Sequence, residues 1–226
     1  MDEVIPPLDA AEVRVLGSLI EKAVTTPDYY PLSVGALTNA CNQLSNRDPV
    51  VNYDESEVLL AVDRLRGKRL ASKYHGADSR VPKYKHALTD VLLLTPAELA
   101  LLCVLMLRGP QTLGELRTRT ERLFTFTALG DVEENLEALA RRQPNPLVAK
   151  LPRQFGMKES RYAQLLSGPT ETAVLAETAA EPDEASTPQL PLTTDRVTKL
   201  EEETANLRQE VESLKQQLAE LRKQWE

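Results

Sequence analysis

Histidine and cysteine carry most acid–base, nucleophilic and metal chemistry near neutral pH. This chain has two of each: His75, His86, Cys41 and Cys103. The histidines bracket a basic stretch and lack a cysteine or H-x-x-x-H partner, and the cysteines form no C-x-x-C pair. No glycine-rich phosphate loop and no G-x-S-x-G turn occurs. Cys41 shares a helical face with Val34, Leu37 and Leu44, and Cys103 with Leu99 and Leu102, so both are expected in a core. Carboxylates are plentiful but fall at helix starts or on polar faces. The expectation is a protein that is not an enzyme, with no catalytic residues, no metal ligands and no cofactor.

Binding chemistry is better supplied. Arg64, Arg66, Lys68, Arg69, Lys73, Arg80, Lys83 and Lys85 fall in one stretch opposed only by Asp78. A second group, Arg141, Arg142, Lys150, Arg153, Lys158 and Arg161, is opposed by Glu159. Such clusters neutralise phosphates, the source of most non-specific affinity for nucleic acid. The same pattern also describes an ordinary solvated surface.

The elements that position these clusters come as a repeat. Leu8-Asp9-Ala10-Ala11-Glu12 returns as Leu94-Thr95-Pro96-Ala97-Glu98, each a capping box opening a helix. Val13, Leu16, Ile20 and Val24 follow at helical spacing in the first copy, and Leu99, Leu102, Cys103 and Met106 in the second. Ser33 and Thr112 then cap a second helix in each copy. Asp54 with Glu57 caps a third that buries Val58, Val62 and Leu65. Its counterpart is centred on Val132, Leu136 and Leu139, with Asp131 and Glu134 expected as its caps. Each copy ends in β-prone segments separated by turn residues: 70–75 and 80–84, then 147–154 and 161–163. Three helices and a hairpin, repeated, describe two tandem winged-helix domains, 1–90 and 91–168. The fold class expected is mainly α with small β-hairpins.

In helix-turn-helix docking the start of the third helix meets base edges. Here that end carries Asp54, Glu55 and Glu57, and in the second copy Asp131, Glu133, Glu134 and Glu137. Phosphates repel these carboxylates, so contacts through the wings and helix ends suit DNA better than groove reading.

The net charge of −7 belongs to the end of the chain. Residues 1–168 hold 21 basic and 21 acidic side chains, and residues 169–226 hold 6 and 13. The segment 169–195, with four prolines, reads as a disordered acidic linker. In 196–226, Val197, Leu200, Thr204, Leu207, Val211, Leu214, Leu218, Leu221 and Trp225 alternate spacings of three and four, a heptad pattern with β-branched a positions that favours parallel dimers. Arg196 with Glu201, Glu203 with Arg208 and Glu210 with Lys215 are opposite-sign pairs only in the parallel arrangement. A parallel homodimeric coiled coil is expected, against a lone amphipathic helix. No apolar run reaches membrane-helix length, and the acidic, proline-bearing start is not a signal peptide. Few cysteines suit a cytoplasmic setting.

Thr26-Pro27 through Tyr30-Pro31-Leu32-Ser33, CNQLSNRDPVVN ending at Asn52, and Asp54-Glu55-Ser56-Glu57-Val58 form a recognisable set. Ser79-Arg80-Val81 with Lys83-Tyr84, LRGPQTLGELRTR ending at Arg119, and Glu159-Ser160-Arg161-Tyr162 before Ser167-Gly168 complete it. Together they resemble the YceH family of uncharacterised bacterial proteins across nearly all of residues 8–168. The resemblance implies a tandem winged helix, with a C-terminal coiled coil in some members, and no established function. Lys85 stands where the family tends to carry Glu, and Gln164 where it tends to carry His. The stretch 46–52 reads as a turn in which Arg47 pairs with a carboxylate, or else as a recognition loop.

The leading expectation is therefore a dimeric DNA-binding protein, of the transcriptional-regulator kind. The alternative is a protein-interaction adaptor resembling the tandem winged-helix subunits of chromosome-organising complexes, with a protein partner and no sequence-specific DNA reading.

Overall fold

A computed structural model of the chain describes residues 5–74, 81–153 and 159–168. The heptad positions Val197 to Trp225, the linker 169–195, and Arg80 and Lys158 lie outside the described residues.

The first copy runs α1 (Ala10–Thr25), a 3-10 turn (Pro27–Tyr29), β1 (Leu32–Ser33), α2 (Val34–Cys41), α3 (Glu55–Gly67), β2 (Ala71–Tyr74) and β3 (Lys83–His86). A short helix, α4 (Leu88–Leu92), leads to the second copy: α5 (Pro96–Arg108), α6 (Leu113–Thr120), α7 (Leu129–Ala140), β4 (Val148–Lys150) and β5 (Tyr162–Gln164). The described residues are mainly helical, with two small antiparallel sheets among them.

The helix starts follow from their capping residues. Asp9, Asp54, Thr95 and Thr112 each accept from the backbone N–H three residues on, while Glu12, Glu57, Glu98 and Glu115 reach back to the cap. Helix α7 differs from expectation. It begins at Leu129, and Asp131 works from inside the first turn, accepting from the Ala128 N–H and the Thr127 hydroxyl. A carboxylate three residues inside a helix can satisfy the same orphan donor as a cap.

In the first sheet the order is β1-β3-β2, with Leu32 opposite Tyr84, Lys73 opposite Tyr84 and Ser72 opposite Lys85. In the second, β4 pairs with β5, and Gln111 forms an isolated bridge with Tyr162 in the place that β1 occupies in the first copy. Neither β1 nor this bridge stands out in the sequence, because two residues are too few to show alternation.

Helices α1 and α5 form the centre. From Glu12 to Glu21 and from Ala97 to Leu107 every residue is buried, as expected of helices covered on all sides. They pack against each other at Gly17, where a Cβ would lie 2.9 Å from Leu107 Cδ2 and 3.2 Å from Met106 Cβ. The Cys103 thiol donates to the Gly17 carbonyl at 3.4 Å. The repeat boundary near residue 90 is thus no gap in packing, and every described residue falls within one compact unit. Cys41 and Cys103 are both free and buried. Leu44, expected beside Cys41, is instead 84% exposed because α2 stops at Cys41.

Candidate functional site

The hairpin β2–β3 carries three lysines, Lys73 and Lys85 exposed and Lys83 half-buried. Successive strand residues point to opposite faces, so Lys83 and Lys85 share one face while Tyr84 between them turns inward and is buried. Tyr74 and Ser72 lie opposite them on β2, and Tyr74 is 46% exposed. Among the described residues, no ion pair holds Lys73, Lys83 or Lys85. His86 ends β3, its N–H donating to the Tyr30 hydroxyl at 2.7 Å. Burial pulls its imidazole below the ordinary value, Asp90 opposing this and Lys85 adding to it.

The rest of the first cluster is committed elsewhere. Arg64 bonds Asp9 at 2.6 Å, and Arg66 bonds Asp63 at 2.6 Å. Lys68 bonds the buried Glu12 at 2.7 Å and the Pro7 carbonyl at 2.8 Å. Arg69 takes a left-handed backbone, φ 62°, at the corner between α3 and β2. Four of the expected positions therefore serve the α3–β2 corner or helix packing as well as any surface role.

The second cluster is more fully occupied still. Arg141 pairs with Glu137, and Arg142 with Glu98 and the Leu92 carbonyl. Lys150 lies over the Tyr162 ring, 5.6 Å from its centre, and 3.9 Å from Glu133. Arg161 donates to the Pro110 carbonyl at 3.0 Å. Arg153 is exposed, with no ion pair among the described residues.

Helix α3 presents its acidic start to solvent, as the sequence indicates. The Ser56 hydroxyl and the Glu57 backbone N–H hold Asp54 below the usual carboxylate range. Leu59 and Leu60 are also exposed on this helix, Leu60 by 54%. Among the described residues, no group of three His, Cys, Asp or Glu is disposed to hold a metal ion. No described helix is long and apolar enough to cross a membrane.

The sequence reading did not find a buried polar network around the stretch 46–52. Arg47, whose side chain is fully buried, bonds Glu21 at 2.6 Å and also reaches the Ala40 carbonyl and the Gln43 side chain. Arg122, from the second copy, takes the other oxygen of Glu21 at 2.9 Å. Arg108 donates to the Asn46 side chain, and the Asp48 N–H to the Leu107 carbonyl at 2.9 Å. Arg14 donates to the Cys41 carbonyl at 3.2 Å and to that of Pro49. Asn46 has φ 59°, a conformation asparagine tolerates better than most residues. This stretch joins the copies to each other. Arg47 does pair with a carboxylate, Glu21, which stands 26 positions back with no local signal to single it out.

A profile described as "Protein of unknown function, DUF480" matches residues 8–157. The chain is 56% identical over 196 residues to a UPF0502 protein of Geotalea daltonii, covering 87% of this chain and 88% of that one. It is 59% identical over 169 residues to a UPF0502 protein of Citrifermentans bemidjiense, covering 75% and 78%. Against a UPF0502 protein of Opitutus terrae the identity is 54% over 181 residues, covering 80% and 78%. The capping boxes, the hairpin and the 46–52 staple all lie inside the matched region, and the chain belongs to the DUF480, or UPF0502, family of uncharacterised bacterial proteins.

Proposed function

We propose that this protein is a dimeric tandem winged-helix protein that binds duplex DNA through phosphate contacts from its wings, in the manner of a transcriptional regulator. The order helix–strand–helix–helix–strand–strand in residues 10–86, met again with a bridge for its first strand in 96–164, supports the winged-helix reading. The observation that carries the DNA reading is the β2–β3 hairpin, where Lys83 and Lys85 share a face with the exposed Tyr74 and Lys73 stands on the other face, all three without acidic partners among the described residues. The carboxylates at the start of α3 turn the third helix away from base edges. Recognition then rests on backbone charge and DNA shape rather than on direct readout. Pairing through the 197–225 heptads places two such chains on one duplex and raises avidity without new contacts. The second wing contributes less, since Arg141, Arg142, Lys150 and Arg161 are already engaged.

Fluorescence anisotropy with a labelled duplex tests this reading. The full chain binds at about 50 mM salt, and K73A/K83A/K85A weakens binding alike across sequences, lowering the salt slope by about 1 per lysine. Absence of duplex binding by the full chain contradicts it.

A second reading rests on a different observation. The exposed face of α3 combines Leu59 and Leu60 with Glu55 and Asp63, a surface suited to a basic protein partner in an adaptor. Affinity capture with the tagged full chain separates the two: partner recovery that survives nuclease and is lost in L60E favours the adaptor.

A further inference from the structure

The junction between the two copies gathers more positive charge than its carboxylates balance. Arg47 comes from the loop after α2, Arg108 from the end of α5, Arg119 from the last turn of α6 and Arg122 from the segment beyond it. Glu21 answers Arg47 and Arg122, at 2.6 and 2.9 Å. Glu115 answers Arg119 at 3.3 Å but also lies 4.0 Å from Arg161. Arg108 has no carboxylate partner among the described residues and donates only to the neutral Asn46 side chain. Lys22 adds a further positive charge 3.9 Å from Glu21.

Part of this group lines one narrow cleft. Glu21, Asn46, Arg108, Arg119 and Arg122 form its polar wall, and Leu107 and Leu123 are among its apolar lining. Its floor admits little more than a water-sized group. A ligand would therefore sit at the mouth, where the Arg119 and Arg122 side chains are 32% and 54% exposed. Burial, then the charges of Arg119, Arg122 and Arg47, pull Arg108 below the ordinary guanidinium value, which marks the same imbalance.

We propose that this arginine-lined cleft binds a phosphate group, with Arg108, Arg119 and Arg122 as its donors. The guanidinium fork matches phosphate oxygens bidentately. A phosphate monoester carrying about −1.5 to −2 charge at neutral pH offsets the excess that Glu21 and Glu115 leave. The group belongs either to a small phosphorylated molecule or to a nucleic-acid strand. The site is separate from the β2–β3 hairpin and does not depend on the hairpin lysines binding DNA.

The test is thermal unfolding of the full chain in inorganic phosphate against chloride at constant ionic strength. Phosphate also stabilises proteins generally by exclusion from their surface, so the expected signature is a saturable rise of about 2–4 °C at millimolar phosphate. The rise is lost in R119Q/R122Q, whose fold is checked by circular dichroism. R119Q alone leaves both bonds of Glu21 in place and is expected to weaken phosphate binding about tenfold, which keeps the test informative if the double variant fails to fold. A non-saturating rise shared equally by wild type and R119Q, or no rise at all, overturns the proposal. Where phosphate binding is found, duplex binding by R119Q separates the sources: a parallel loss assigns the cleft to nucleic-acid phosphate, and unchanged duplex binding assigns it to a small phosphorylated ligand.

Discussion

Glu21 is the side chain on which the junction turns. Burial alone would raise its carboxyl, but the hydrogen bond from Arg47 and the charges of Arg47, Lys22 and Arg122 outweigh this and hold it below the usual glutamate value. Breaking a buried pair by removing one partner leaves an uncompensated charge. E21A is expected to cost about 3–5 kcal/mol in urea unfolding, because Arg47 stays buried without its carboxylate. The depressed value also sets a pH dependence. The stabilisation from Glu21 is fully present above its unfolded value of about 4.3 and is lost as pH falls through the lower folded value. E21Q should flatten that acid limb of the stability curve, measured by urea titration at stepped pH. The two cysteines make a complementary case. Burial pushes both thiols up, and the charge of Glu21 raises Cys103 further still. Neither should react with a thiol reagent in the folded chain, and both should react on the timescale of unfolding.

At the scale of elements, the α1–α5 contact decides whether the two copies behave as one. Gly17 allows the close approach, and G17V drives two methyls toward Leu107 and Met106. Overpacking of this kind costs about 1–3 kcal/mol, and it should leave a single unfolding transition, because the two copies share this contact. The six longer helices, most of their capping boxes and most of their apolar faces were legible in the sequence because each is written within a few residues: Asp9 with Glu12, Thr95 with Glu98, Val58 with Val62. The five-residue α4 was not, and Val24 of the expected α1 face is 42% exposed. The hairpins were legible to within about four residues from β-prone runs and turn residues, β4 stopping at Lys150 well short of the expected 154. What escaped was long-range. Lys68 looks like a surface cation beside Arg66, yet its partner Glu12 stands 56 positions away. Arg122 carries no local mark of its role, yet it pairs 101 positions back. Such pairings depend on tertiary approach, and no local pattern records them. The start of α7 was misplaced for a smaller reason, since Asp131 satisfies a donor from inside the helix rather than before it.

At the scale of the whole molecule, charge is unevenly placed rather than merely negative. The first 168 residues balance their acids and bases, and among the described residues ion pairs engage Arg64, Arg66, Lys68, Arg141 and Arg142 at the ends of α3 and α7 but not Lys73, Lys83 and Lys85 on the β2–β3 hairpin. On the proposed reading, the hairpin supplies the phosphate contacts and pairing through the heptads beyond residue 196 multiplies them. Light scattering of the full chain should give a dimer at micromolar concentration. L207E/L214E should give a monomer with weaker duplex binding and an unchanged thermal profile for the helical core. The most direct check on the central claim is anisotropy of a labelled duplex, titrated with the full chain and with K73A/K83A/K85A across a salt series. The expected result is binding that falls with salt, and a variant that binds more weakly on every sequence with a salt slope shallower by about 3. Equal affinity and equal slope for the two proteins, or no binding by either, would contradict the account.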